Sequence, residues 1–132
     1  MSKVLLDTCV FSYVLKGDTR ALAYRACLEH AQPCLCFMTM AELYRWGLAR
    51  RWGAKRLAVL RQRIAECQTL TYDDAMGWEW ARVMTLPGRP MPSADAWIAA
   101  CALRHRLPLV THNRDDFAHI PGLELAPESR QP

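Results

Sequence analysis

No apolar run in this chain is long enough to cross a bilayer. The N-terminus passes within three residues into a strand-compatible stretch, Val4-Leu5-Leu6. That leaves no room for a secretory leader, so the expected location is the cytoplasm and no membrane partner is expected. None of the six cysteines forms a CxxC pair, and the four histidines are not placed to complete a zinc site. Cys9, Cys27, Cys34, Cys36, Cys67 and Cys101 are therefore expected as reduced thiols packing like small hydrophobes. Internal repeats and a domain linker are also missing. At 132 residues the chain suits one domain, drawn here as residues 1–126 with a flexible tail over 127–132. Acids are absent from Arg45 to Arg63, where seven Arg or Lys residues fall. The net charge of +4 is compatible with a polyanionic partner without requiring one.

What is present alternates between strand and helix patterns. Val4–Leu6 reads as a buried parallel strand ending at Asp7-Thr8. A short helix over Val10–Leu15 stops at Gly17, and Thr19 caps a second over Arg20–His30, which Pro33 breaks. Cys34–Met38 reads as the second strand. Thr39 opens a helix through Leu43 and Trp46 toward Gly53, and Lys55–Glu66 forms another. Thr69–Tyr72 is the third strand, followed by a helix from Asp73 or Asp74 to Leu86. Three prolines in Pro87–Pro92 dictate a loop. Ser93 then caps an apolar helix over Ala94–His105. Leu109–Thr111 is the fourth strand, His112–Phe117 a polar turn, and Leu123–Leu125 a last edge strand. The pattern predicts an α/β fold with a mostly parallel central sheet flanked by helices.

Four acids share one context. Asp7 ends strand one, Glu42 and Asp95 lie in the first turns of helices, and Asp116 follows strand four. In an open parallel sheet all four reach the carboxyl edge, where ligands bind. Each has a plainer reading. Thr39 to Glu42 fits a capping box. Asp95 complements a helix dipole, Asn113 to Asp116 are turn formers, and Asp7-Thr8 caps a helix. Together, however, four converging carboxylates repel one another unless a cation neutralises them. Oxygen-only ligands indicate a hard ion, Mg²⁺ or Mn²⁺, and phosphoryl chemistry. The basic stretch is either an ordinary solvated helix face or a phosphate-tracking groove, through Arg45, Arg50, Arg51, Lys55 and Arg56. Tyr44, Trp46 and Trp52 interleave there; bases can stack on such rings, although core packing is the expectation for Trp46.

The motifs Val4-Leu5-Leu6-Asp7-Thr8, Met40-Ala41-Glu42-Leu43-Tyr44, Ser93-Ala94-Asp95-Ala96-Trp97-Ile98-Ala99-Ala100 and Leu109-Val110-Thr111-His112-Asn113-Arg114-Asp115-Asp116-Phe117 resemble the PIN domain. More narrowly, they resemble the VapC toxins of bacterial type II toxin–antitoxin pairs. The resemblance implies a PIN-like (Rossmann-like) three-layer fold and a Mg²⁺- or Mn²⁺-dependent endoribonuclease. It implies Asp7, Glu42 and Asp95 as the main catalytic and metal-binding acids, with Asp116 or Asn113 at a more variable fourth position. Thr8 and Thr111 match supporting polar residues. Homodimerisation and a small VapB-like antitoxin are implied as well. Cys9 departs from the family, many members having Asn there. Two alternatives are a non-catalytic PIN-like module that binds RNA or protein, and a haloacid dehalogenase-like phosphatase with Asp7 as nucleophile. The second normally needs an Asp two residues on, where this chain has Cys9.

Overall fold

The computed structural model describes residues 2–128. Its strands are β1 (Ser2–Leu6), β2 (Ala31–Cys36), β3 (Gln68–Leu70) and β4 (Leu109–Val110), joined as one sheet in the order β3-β2-β1-β4. Every pairing is parallel. The helices are α1 (Thr8–Lys16), α2 (Arg25–Glu29), α3 (Phe37–Ala49), α4 (Ala54–Ala65), α5 (Asp74–Met84), α6 (Ser93–His105) and α7 (Arg114–Phe117). Among the described residues, no helix is long and apolar enough to cross a membrane.

A parallel sheet needs cover on both faces, and the two-residue period of strand side chains provides two apolar faces to cover. Leu5, Cys34, Cys36 and Leu109 join one core with Met76 and Val83 of α5 and the buried side of α6. Val4, Leu6, Leu35 and Val110 join the other with Val10 and Phe11 of α1, Leu43 of α3, and Leu60 and Ile64 of α4. The result is three layers, helix–sheet–helix. Helix α6 is the most enclosed: Ala96, Ile98, Ala99, Ala100, Cys101 and Ala102 are all buried. Its small side chains let it lie close against the sheet and fix where its first turn projects. Strand β1, hydrogen-bonded to neighbours on both sides, carries the unbroken apolar run expected of a central strand.

Several boundaries differ from the sequence reading. Pro33 does not break a helix; it lies inside β2, opposite Val4. Strand β3 joins β2 only from Cys34 onward, so at Pro33 the strand has one neighbour and the missing N–H is tolerated. The expected helix over Arg20–His30 divides into a 3₁₀ segment, Thr19–Tyr24, and α2. Asp18 rather than Thr19 caps it, accepting from the Arg20 N–H at 2.9 Å while the Arg20 guanidinium grips the same carboxylate at 2.8 Å. Helix α3 starts at Phe37, ahead of Thr39, and α6 starts at Ser93 with Pro92 in the cap position. Strand β3 ends at Leu70, and Asp73 caps α5 by accepting from the Met76 N–H at 2.8 Å. The expected edge strand over Leu123–Leu125 reduces to one parallel bridge, Leu125 with Leu109. Of the expected tail, residues 129–132 lie outside the described residues.

Because α6 sets one wall of the sheet edge, thinning its core should be costly. Ile98→Ala, at a fully buried position, is expected to lower unfolding free energy by about 2–5 kcal/mol, read from urea denaturation midpoints.

Candidate active site

The carboxyl edge of the sheet is where β1 and β4 hand over to α1 and α7. Asp7 is the first residue beyond β1 and only 4% exposed. Its backbone N–H still bonds to the Val110 carbonyl at 2.9 Å, which holds it in the sheet. Its side chain caps α1, Oδ1 accepting from the Thr8 N–H at 2.7 Å. Oδ2 accepts from the Thr111 hydroxyl at 2.7 Å and from the Cys9 thiol at 3.6 Å. Burial outweighs these stabilising bonds and pushes the Asp7 carboxyl above its ordinary range. The plainer reading of Asp7 as a cap is correct, and it does not compete with a role in the site.

Glu42 lies in the second turn of α3, and its Oε1 accepts from the Thr8 hydroxyl at 2.9 Å. This replaces the capping box. With α3 starting at Phe37, Thr39 is inside the helix and fully buried, so it has no cap to form. Asp95 lies in the first turn of α6, half-buried. Burial, then the charges of Asp7, Glu42 and Asp116, push its carboxyl up to about 6. Asp7, Glu42 and Asp95 line one cavity of about 360 Å³ together with Thr8, Cys9, Ser12, Trp46 and Asn113. Thr111 lies beneath it, its hydroxyl accepting from the Asn113 N–H at 3.0 Å while donating to Asp7. Asp116 is more exposed and lines a neighbouring cavity with Asp95 and Arg89. Burial and the Asp7 charge push the Cys9 thiol up to about 11, so it stays protonated and donates.

The expected phosphate-binding cations Arg45, Arg50, Arg51, Lys55 and Arg56 are all exposed, and none lines the acidic cavity. Trp46 connects them to it. This ring packs against the core, as expected, and also walls the cavity. Arg50 lies 4.3 Å from its centroid, and Arg56 lies 4.0 Å from that of Trp52. Sequence reasoning missed Ser12, Lys16 and Arg89. Lys16 Nζ sits 4.2 Å from the Trp46 centroid. Helical spacing carried the signal: Thr8, Ser12 and Lys16 recur at i, i+4, i+8, and Trp46 follows Glu42 by four. Arg89, in an irregular loop, left no such trace.

A PIN-domain family model matches residues 4–123. The chain belongs to the PIN-domain family. Ribonuclease VapC5 of Mycobacterium tuberculosis is 40% identical to it over 124 residues, covering 89% of this chain and 87% of that protein. The tRNA(fMet)-specific endonuclease VapC of Shigella flexneri is 26% identical over 126 residues, covering 93% and 96%. The fold superposes on a chain of the DNA-bound VapBC crystal structure from Salmonella typhimurium with a TM-score of 0.78 at 28% identity, covering 96% and 98%.

Does the acidic edge of this PIN domain suit a metal? Its donors are all carboxylate oxygens, the chemistry of a hard divalent ion. Their mutual repulsion, visible at Asp95, is the strain such an ion relieves. Among the described residues, no three acidic, histidine or cysteine side chains close into a ready-made cage. By the chemistry of their donors the residues fit such a hard ion, which commonly retains part of its water shell.

The raised Asp95 carboxyl has a consequence for stability. Its unfolded reference is 3.8 and its folded value about 6. The folded state thus binds the proton more tightly, and the stabilisation is complete below about pH 4 and lost as pH rises through about 6. In EDTA, Asp95→Asn should melt higher than wild type at pH 7.5, and the difference should vanish at pH 4. Mg²⁺ should raise the wild-type midpoint more than the variant's. Differential scanning fluorimetry across that range reads all three effects.

Proposed function

We propose that this PIN domain is a metal-dependent endoribonuclease, the toxin of a type II toxin–antitoxin pair, acting in the cytoplasm. The observation that carries this reading is the meeting of Asp7, Glu42 and Asp95 in one cavity at the sheet edge. Full-length similarity to VapC proteins named for ribonuclease activity supports it.

Asp7, Glu42 and Asp95 would hold Mg²⁺ or Mn²⁺, with Asp116 at the rim. When bound, the ion supplies charge neutralisation at the phosphodiester and a more acidic water. The chain's own residues do the rest. Thr111 and the Thr8 N–H fix both oxygens of Asp7. The Thr8 hydroxyl fixes Glu42, so these carboxylates face the substrate in set orientations. Asn113 presents its side chain to the same cavity and can orient a water or a phosphate oxygen. Arg45, Arg50, Arg51, Lys55 and Arg56 hold the RNA backbone beyond Trp46. The partner that silences the site is a small VapB-like antitoxin. A net-negative cavity accepts a basic side chain in place of the cation, and the likeness to VapBC assemblies supports such pairing. A homodimer is the proposed assembly of the toxin itself.

Purified wild-type protein should cut end-labelled total RNA into discrete fragments in Mg²⁺ and lose this activity in EDTA. Asp7→Asn and Asp95→Asn should each abolish cutting while retaining a native circular dichroism spectrum. Full activity in either variant would overturn the assignment of the acids.

A further inference from the structure

Two cavities meet at Asp95. Beyond the acidic one lies a second, about 230 Å³, between the Pro87–Pro92 loop and α7. Its walls include Arg89, Met91, Pro92, Asp116 and His119 besides Asp95 itself. Basic groups line this cavity, whereas none lines the first. The Arg89 guanidinium stands 4.0 Å from the Asp116 carboxylate, with its side chain 88% exposed. An ion pair that long and that wet is weak, so the guanidinium is free to turn its forked donors onto a phosphate. Prolines at 87, 90 and 92 restrict the loop backbone that presents it.

An internal phosphodiester has chain on both sides of the bond to be cut. On the Trp46 side, Lys16 and Arg50 stand ready for it. On the Asp116 side, the basic groups in the cavity it shares with Asp95 are Arg89 and His119. We propose that the second cavity is a subsite for the RNA phosphate next to the scissile one, with Arg89 as its positioning residue and His119 beside it. This rests on the nuclease reading of the acidic cavity. RNA then crosses the sheet edge from the Trp46 cations, over the acids, to Arg89. Such a path takes an internal segment, not only a chain end.

The test is metal-free binding of a fluorescein-labelled, random-sequence 12-nucleotide RNA pool in EDTA, measured by anisotropy between 50 and 200 mM KCl. Each phosphate contact on single-stranded RNA adds about 0.7 to the slope of log affinity against log salt. Arg89→Gln is expected to bind more weakly, with a slope shallower by about 0.7, so a fourfold rise in salt costs it about 2.6-fold less affinity than wild type. Arg89→Lys should restore the slope, and Arg82→Gln, whose guanidinium pairs with Glu79 on α5, should leave it unchanged. A wild-type slope and affinity in Arg89→Gln would overturn the proposal and leave the cavity to a protein partner. No metal or cleavage enters this measurement, so failure of the nuclease reading would register in the RNA-cutting assay and failure of the subsite here.

Discussion

A carboxylate almost wholly removed from water, Asp7, ties the sheet edge together. One residue continues the β1 ladder to Val110, caps α1, and accepts the hydroxyl of Thr111 where β4 ends. The cap is local, and the other two connections join positions more than a hundred residues apart in the chain. They do not compensate fully for desolvation, since the Asp7 carboxyl is still pushed upward. The fold thus holds a poorly solvated negative charge at its centre and places Glu42 and Asp95 on the same cavity. Asp95 is pushed up to about 6, by burial first and then by the neighbouring acids. Such an arrangement is destabilising in isolation, and a bound cation would relieve it, which sets it apart from a cluster of surface acids.

The basic groups are arranged on the same logic. Arg25, Arg82 and Arg104 are each neutralised by a carboxylate, Glu29, Glu79 and Asp73 respectively. Around Trp46 the pattern changes. Lys16, Arg50 and Arg56 lie on indole rings, and among the described residues none has a carboxylate at ion-pairing distance. A ring face orients a cation without cancelling its charge. Positive potential therefore survives beside a negative cavity.

How much of this was written in the chain in readable form depended on whether the determinant was local. The run Val4–Leu6 ending in Asp7 placed the central strand, and apolar alternation with helices placed the parallel sheet. The first-turn position of Asp95 was legible from the proline loop and the apolar helix behind it. Glu42 was read beside Asp7 and Asp95, where the structure places it, from an incomplete reason. The capping-box pattern was present, but helix α3 begins earlier, because Phe37 and Met38 pack in its first turn rather than extending β2. Pro33 misled because the rule against proline in strands depends on how many neighbours the strand has at that residue. Arg89 could not be placed at the site from sequence, since its relation to Asp116 exists only once distant segments pack, whereas Lys16 shared the helical spacing of Thr8 and Ser12.

Helices α1 and α3 show how the carboxylates and cations are held in one frame. Thr8 meets Glu42 at one end, and Lys16 meets Trp46 at the other. Eight residues separate the first pair of positions along α1, about 12 Å of rise, against four along α3, about 6 Å. The mismatch closes because helical side chains lean toward the N-terminus and lysine is long enough to reach back over the indole. The wall between acid and cation is thus set by one hydroxyl–carboxylate bond and one ammonium–indole contact. A shift of α1 would move both together, so the spacing from the Glu42 carboxylate to the Lys16 ammonium follows from how the two helices cross.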